Sequence, residues 1–249
     1  MSGHSKWASI KRQKGANDAQ RGQLFTKLAK EIIIAAKAGG PEPAANFRLR
    51  LAVQKAKDNN MPGENIERAI KRGSGGGDGA DVEEITYEGY GPAGTALIVE
   101  AATDNRNRTV AEVRNVFARS GGNLGEHGSV AWNFDVRGVV TVSPNGNDAD
   151  EIALTAIDAG AEDVQVSAAS IDVYTVPSSL EDVKKALEDS GLTVESAEVQ
   201  RVPKMTVALD ERDAISTLRL VEKLESLDDV QKVYFNAEFS DDVLAAYAG

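Results

Sequence analysis

No cysteine occurs anywhere in the 249 residues, and histidine occurs only twice, at His4 and His127. The first absence excludes disulfides, thiolate nucleophiles, Cys-ligated zinc and iron–sulfur clusters. The two imidazoles lie far apart and outside any H-E-x-x-H spacing, so metal binding and Ser/His catalysis have little to build on. Nor does the chain contain a run of about 18 apolar residues, the length a bilayer span needs. Its opening stretch, MSGHSKWASIKRQKG, has no apolar segment behind its cations. These absences predict a cytoplasmic protein that is not an enzyme, with no cofactor, no metal, no membrane partner and no evident small-molecule substrate.

What is present is an uneven distribution of charge. Residues 1–72 carry 15 Lys/Arg against 6 Asp/Glu, a balance of +9, whereas 73–249 carry 13 against 33, a balance of −20. The overall charge of −11 therefore misleads, since the first segment attracts a polyanion that the remainder repels. Hydrophobic residues at 41% and charged residues at 27% are ordinary for a globular chain, and the length suits two or three domains. The run Gly73-Ser74-Gly75-Gly76-Gly77-Asp78-Gly79-Ala80 divides basic from acidic. It has too few side chains to pack, and it lacks the Gly-Lys-Ser/Thr and preceding strand of a P-loop, so 73–80 reads as a flexible linker.

Before the linker, apolar residues at helical spacing predict three helices, at about 17–38, 44–59 and 62–73. Gly39-Gly40-Pro41 stops the first, and Pro62 suits the first turn of the third. Short helices with one apolar stripe each bury it against one another, which predicts a small bundle with its cations outside. After the linker, residues 84–90 and 95–102 predict a hairpin around the turn chemistry of 89–94, followed by a helix at 108–120 and a strand at 129–134. From Gly138 the order is β-α-β-β-α-β: 139–142, 149–159, 163–166, 171–176, 180–190 and 193–201. Such an order is that of a ferredoxin-like unit. The remaining strand 205–209, helix 211–226 and strand 230–235 are too few for a domain of their own. The expected fold is thus α+β and multidomain: a basic arm and three-helix bundle (1–72), the linker (73–80), a split α+β domain (81–136 plus 203–249), and an inserted ferredoxin-like domain (137–202).

The first sixteen residues interleave cations with one aromatic and offer little to bury. Lys and Arg there would neutralise phosphates, and Trp7 would stack on an exposed base; the competing reading is that Trp7 and Ile10 merely pin the arm. Candidate nucleic-acid contacts are accordingly Lys6, Trp7, Lys11, Arg12 and Lys14 of the arm, with Arg21, Lys27, Lys30, Lys55, Lys57, Lys71 and Arg72 of the bundle. Arg106 and Arg108, at the start of a helix in an otherwise acidic region, are candidate phosphate contacts, although Asp104, Asn105 or Asn107 in the same stretch also suits helix capping. Glu126-His127 pairs a carboxylate with an imidazole, but in a glycine-flanked loop with no nucleophile nearby it reads as solvated.

Several short motifs, in order and spacing, resemble the YebC family: Met1-Ser2-Gly3-His4-Ser5-Lys6-Trp7, Asn60-Met61-Pro62, Asn65 to Gly73, Tyr87-Glu88-Gly89-Tyr90-Gly91-Pro92, Thr103 to Thr109, and Gly121-Gly122-Asn123-Leu124-Gly125. The resemblance runs along the whole chain; Arg12-Gln13 departs from the His-Arg or Arg-His type of pair frequent there. It implies a cytoplasmic, non-enzymatic, three-domain protein. Family members are described both as DNA-binding transcriptional regulators and as translation factors, the mitochondrial relative being a translational activator of cytochrome c oxidase. The expected function is a DNA-binding transcriptional regulator, with a ribosome-associated translation factor binding rRNA or mRNA as the alternative. No helix-turn-helix or zinc finger is evident to read a major groove, and the ferredoxin-like strands lack the Phe/Tyr-rich pattern with which an RRM stacks bases.

Overall fold

The computed structural model describes Trp7 and residues 18–76, 81–146, 148–167 and 170–248. It is a mixed α+β structure with helices at its N-terminal end and antiparallel sheets beyond them. Three helices come first: α1 (Asp18–Gly39), α2 (Phe47–Asp58) and α3 (Gly63–Gly73). Leu28, Ile32, Ile33, Ala35 and Ala36 of α1 share one core with Leu49, Ala52, Val53 and Ala56 of α2 and with Ile66 and Ala69 of α3. The apolar stripes read from the sequence therefore do face one another. Gly40 ends α1 with φ 87°, a left-handed conformation that glycine adopts without strain.

One buried side chain joins two of these helices. Asn46 caps α2, its Oδ1 accepting from the Leu49 amide at 3.0 Å, while its Nδ2 donates to the carbonyls of Ala35 and Gly40 at 2.8 Å each. The exposed ends of two helices thus satisfy each other through a single amide. Only glycine fits at position 39 beside it, because a Cβ there would lie 2.7 Å from Asn46 Nδ2.

Next come β1 (Glu83–Tyr90), β2 (Ala96–Thr103), α4 (Arg106–Arg119) and β3 (Asn123–Leu124). After a long excursion the same sheet is completed by α7 (Glu211–Glu225) and β9 (Val230–Phe235), with the short parallel pair β8 (Val207–Ala208) and β10 (Ala237–Glu238) and a terminal helix α8 (Asp241–Ala248). The sheet order is β3-β1-β2-β9, antiparallel throughout. Leu97 and Val99 of the central β2 pack with Val113 and Phe117 of α4 and with Leu218, Val221 and Leu224 of α7. On the bundle side, Val82 and Ala102 belong to the core of the three N-terminal helices.

The excursion forms a compact unit of its own, Asn133–Thr206, distinct from the unit that ends at Trp132 and resumes at Val207. It contains β4 (Phe134–Ser143), α5 (Ala149–Asp158), β5 (Asp163–Val166), β6 (Ile171–Thr175), α6 (Leu180–Asp189) and β7 (Thr193–Pro203). The sheet order is β5-β6-β4-β7. Gly138 lies where β4 passes beneath α6, and a Cβ there would come within 2.8 Å of Thr175 and 3.2 Å of Leu180. No helix among the described residues is long and apolar enough to cross a membrane.

Two local expectations need correction. Residues 129–134 are not a strand: Ala131–Asn133 is a 3-10 turn, and β4 starts at Phe134. The reason is visible in the hydrogen bonds, since the Val130 and Ala131 amides donate to the Glu88 carboxylate instead of to a neighbouring strand. The strand expected at 205–209 shrinks to Val207–Ala208. The linker expected at 73–80 falls partly on 77–80, which lie outside the described residues; Gly73 is the last residue of α3.

Replacing Asn46 with Ala removes the α2 cap and takes a donor from the buried Ala35 carbonyl and the half-buried Gly40 carbonyl, and should lower unfolding free energy by about 2–4 kcal/mol in urea titrations. Asp at the same position retains the cap but cannot donate, so it should recover only part of that stability. Full recovery by Asn46→Asp would show that the amide's donor bonds contribute nothing.

Candidate nucleic-acid interface

The cations of the bundle divide sharply by environment. Gln23, Lys27 and Lys30 recur on α1 at spacings of four and three, which puts them on one face. That face lies against the C-terminal end of α7 and the turn after it. Gln23 Nε2 donates to the Ser226 carbonyl and to Asp228 Oδ1, both at 2.9 Å. Lys27 Nζ donates to the Glu225 carbonyl at 2.5 Å, and Lys30 Nζ donates to the Asp228 carbonyl at 3.1 Å. A helix C-terminus exposes unsatisfied carbonyls and the negative end of the dipole, and cationic donors from α1 satisfy both. Lys27 and Lys30, expected from the sequence as phosphate contacts, are thus engaged with the end of α7 and the turn after it.

Asp229 is the centre of this arrangement. Its side chain is 2% exposed, and Lys30 Nζ lies 2.6 Å from Oδ1. Oδ2 accepts from Arg108 Nη2 at 2.8 Å, Thr109 Oγ1 at 2.7 Å and Thr103 Oγ1 at 3.1 Å. Burial alone would raise the carboxyl pKa, but the donors from Lys30, Thr109 and Arg108 outweigh it and hold the group well below the usual carboxylate range. Arg108 also pairs with Asp104 at 3.0 Å, and Asn105 Oδ1 caps α4 by accepting from the Arg108 amide at 3.1 Å. The place that Arg108 would give a phosphate is therefore taken by Asp229. Arg106 is the more exposed of the two, and its partner Glu83 is held loosely at 3.6 Å.

Trp7, expected from the sequence to stack on a base or to pin the arm, lies in the interior. It is 3% exposed, in the core with Phe117, Leu224 and Leu244, its Nε1 donating to Glu225 Oε2 at 3.2 Å and its ring edge-on to Tyr247 at 5.8 Å. Covered in this way, the indole offers no face to a base. It is an anchor, and its seat is the α7–α8 core instead of the bundle. Lys6, Lys11, Arg12 and Lys14 lie outside the described residues. Lys55 sits 3.3 Å from Glu31 and is half-buried, and Arg72 is half-buried at the end of α3. Arg21, Lys57 and Lys71 remain exposed, and Arg68 joins them on the outward side of α3 opposite Ile66 and Ala69.

A second buried carboxylate has no forewarning in the sequence. Glu88, 2% exposed, accepts from the amides of Gly128 at 2.7 Å and of Val130 and Ala131 at 2.8 Å each. Burial pushes its pKa up, but the three amides prevail and the net direction is down. His127 lies 3.3 Å from Glu88 Oε1 with its side chain 92% exposed. Its partner is thus Glu88 and not the adjacent Glu126, and the loop is organised by a carboxylate 40 residues away in sequence. The acidic residue within Tyr87-Glu88-Gly89-Tyr90 is legible only as part of a motif, because a strand Glu gives no local sign of burial.

Family models match along the chain: one described as the TACO1/YebC protein N-terminal domain at residues 5–76, and one described as the TACO1/YebC second and third domain at 82–237. A probable transcriptional regulatory protein of Dehalococcoides mccartyi is 57% identical over 247 residues, covering 99% of this chain and 98% of that protein. One of the same name from Chloroflexus aurantiacus is 53% identical over 250 residues, covering 99% of each. The crystal structure of a conserved hypothetical protein from Aquifex aeolicus is similar at a TM-score of 0.83 and 48% identity, over 90% of this chain and 93% of that one.

Asp229→Asn should leave Lys30 buried beside a neutral partner and cost about 3–5 kcal/mol of stability. Folding lowers the pKa of Asp229 and of Glu88, so the unfolded chain takes up those protons first as pH falls. Their stabilisation is complete above about pH 4, the ordinary carboxylate value, and is lost as pH drops toward the folded values. Denaturant titrations between pH 5 and pH 2 should therefore show a shallower pH dependence in Asp229→Asn than in the wild type. Equal slopes would refute the assignment of Asp229 as an ionised centre.

Proposed function

The chain belongs to the TACO1/YebC family, and from that membership we propose a non-enzymatic regulator of gene expression that binds nucleic acid, acting on DNA as a transcriptional regulator in the cytoplasm. The names borne by its relatives support the regulatory part. The observation that carries the nucleic-acid part is the charge asymmetry, +9 over residues 1–72 against −20 over the rest. Polyanion binding is driven by cations that release condensed counterions, so the contact falls to the basic segment and the acidic remainder orients it. Of the exposed cations of the bundle, Lys37 and Arg48 pair with Asp81 and Glu84, and the share assigned to the interface is Arg21, Lys57, Arg68 and Lys71. With them we place the arm cations Lys6, Lys11, Arg12 and Lys14, and Arg106 as a more distant phosphate contact.

The domain reading that accompanies this function has 1–72 as arm and bundle, 73–80 as linker, 81–136 with 203–249 as a split α+β domain, and 137–202 as an inserted ferredoxin-like domain. Supporting the last is the order β4-α5-β5-β6-α6-β7, with the first and third strands of the unit at the centre of its sheet. The insert is acidic, and none of the phosphate contacts assigned above lies in it.

Binding of a labelled 20-base-pair duplex, followed by anisotropy across a salt series, tests the assignment. The triple variant Arg21→Ala, Lys57→Ala, Lys71→Ala should bind more weakly, with a log–log salt slope shallower by about 0.9 for each phosphate no longer neutralised. Lys30→Met should leave that slope unchanged. An unaltered slope in the triple variant would remove the bundle from the interface. Sedimentation of lysate on sucrose gradients, with and without nuclease, separates the two targets: travel with ribosomes, combined with weak duplex binding, would move the assignment from transcription to translation.

A further inference from the structure

Past residue 80, one α-helix differs in charge from the others. α4 carries Arg106, Arg108, Arg114 and Arg119 against Glu112 alone, whereas α5, α6, α7 and α8 each carry more acidic than basic residues. Two of the four arginines have partners already described, Asp229 for Arg108 and Glu83 for Arg106. Arg114 and Arg119 are exposed, and neither makes an ion pair among the described residues. Positive charge in the acidic part of the chain is thus concentrated on one helix and left open to solvent, which makes α4 the place there where a polyanion is attracted.

Helical geometry arranges the exposed residues around one outward strip. Thr109, Val113 and Phe117 are buried on the inner side. Opposite them Asn107, Ala111, Asn115 and Ala118 follow at spacings of four, four and three, all exposed. At about 100° per residue, Arg114 and Arg119 stand about 140° apart around the axis, one on each side of this strip. The strip itself is uncharged, about 17 Å long at 1.5 Å per residue, and its side chains are two methyl groups and two short carboxamides. Such a face suits the major groove of B-DNA, which at about 12 Å wide admits an α-helix of about 10–12 Å diameter. Cations on the two flanks then meet the phosphates of the two strands, while Asn pairs with adenine N6 and N7 and Ala packs on a thymine methyl. A-form RNA closes off that approach, because its major groove is deep and narrow. The helix also shares an anchor with the basic bundle: Arg108 and Thr109 bond to Asp229, which takes Lys30 of α1 as well.

We propose that the outward face of α4 enters the major groove of duplex DNA, with Arg114 and Arg119 on the phosphates of its two walls and Asn107 and Asn115 on base edges. The proposal rests on the nucleic-acid reading above and adds to it a base-reading element, in a chain without an evident helix-turn-helix or zinc finger. The bundle cations hold the backbone without regard to sequence, and α4 makes the binding depend on the bases.

The test uses the full chain with three 20-base-pair probes of one sequence, read by anisotropy over a salt series: the DNA duplex, the RNA duplex, and a DNA duplex with 7-deazaadenine for adenine, which lacks the N7 acceptor of the major groove. Arg114→Ala, Arg119→Ala should bind the DNA duplex about tenfold more weakly at 100 mM salt, with a slope shallower by up to about 1.8, or about 0.9 for each of two phosphates. Its binding to the RNA duplex should change much less. A control of equal charge change, Arg212→Ala, Arg219→Ala on exposed positions of α7, should shift DNA affinity much less. Wild type should bind the 7-deazaadenine duplex about fivefold more weakly than the unmodified one, and Asn107→Ala, Asn115→Ala should abolish that preference without altering the slope. Unchanged DNA binding by the first variant, equal weakening in the α7 control, equal losses on DNA and RNA, or indifference of wild type to 7-deazaadenine would each overturn the proposal and leave the nucleic-acid reading standing. Absence of salt-dependent binding by wild type to every probe would overturn both, and circular dichroism melts confirm that each variant is folded.

Discussion

Burial of a single carboxylate at Asp229 constrains much of the unit that contains it. A charge at 2% exposure persists only with full compensation, and the compensation is drawn from three parts of the chain: Lys30 of α1, Thr103 at the end of β2, and Arg108 and Thr109 in the first turns of α4. Each donor must arrive with its element in place, so α1, β2 and α4 are located relative to the turn between α7 and β9. The main chain adds to the junction, since the Asp229 carbonyl accepts from the Ala102 amide at 2.8 Å where the β2–β9 ladder shifts register. Gln23 and Lys27 extend the same contact along α1 to the carbonyls that end α7. The basic helices are thereby attached to the acidic sheet by directional bonds as well as by apolar packing.

That junction explains which parts are legible in the sequence. Periodicity and punctuation carry the helices, because Leu28, Ile32, Leu49 and Ile66 repeat where a buried stripe must, and Gly40 and Pro62 mark ends by backbone sterics. The hairpin around Pro92–Gly94 is legible for the same reason: Ala93 and Gly94 take positive φ, and the turn chemistry announces it. Illegible features depend on partners distant in sequence. Lys30 and Lys71 look alike in one dimension, yet the former meets Asp229, about 200 residues on, while the latter faces solvent. Residues 129–134 alternate as a strand should, but Glu88 captures two of their amides. The one available signal for α1 is the spacing of Gln23, Lys27 and Lys30, which is that of a polar face meeting another surface and not of cations scattered through solvent.

Trp7 illustrates the same limit from the other side. An aromatic among cations suggests stacking, but an indole without a nucleic acid beside it gains free energy by leaving water, and the core of α7 and α8 provides both apolar walls and an acceptor, Glu225, for its N–H. Tyr247, edge-on to the indole, donates in turn to Glu222 at 2.7 Å. Burial and this acceptor both push the Tyr247 pKa up, so its hydroxyl remains a donor across the ordinary pH range. The residue that its neighbours in sequence mark for base stacking is instead where the start of the chain is fastened to its C-terminal helices.

The two kinds of ion pair in this protein have opposite functional meaning, and exposure decides which is which. Removing Lys30 or Arg108 from Asp229 to meet a phosphate leaves a buried carboxylate under-compensated, at a cost of several kcal/mol that one surface phosphate does not return. Removing Lys37, Arg48 or Arg106 from Asp81, Glu84 or Glu83 leaves a hydrated carboxylate on the surface at almost no cost. Positive charge counted along the sequence therefore overstates the surface open to a polyanion, while positive charge counted as unpaired understates it. The relevant set is the cations whose present partners are solvated. By that criterion the N-terminal basic segment retains most of its capacity for phosphate, and the part it gives up, Lys27 and Lys30, is what holds it to the rest of the molecule.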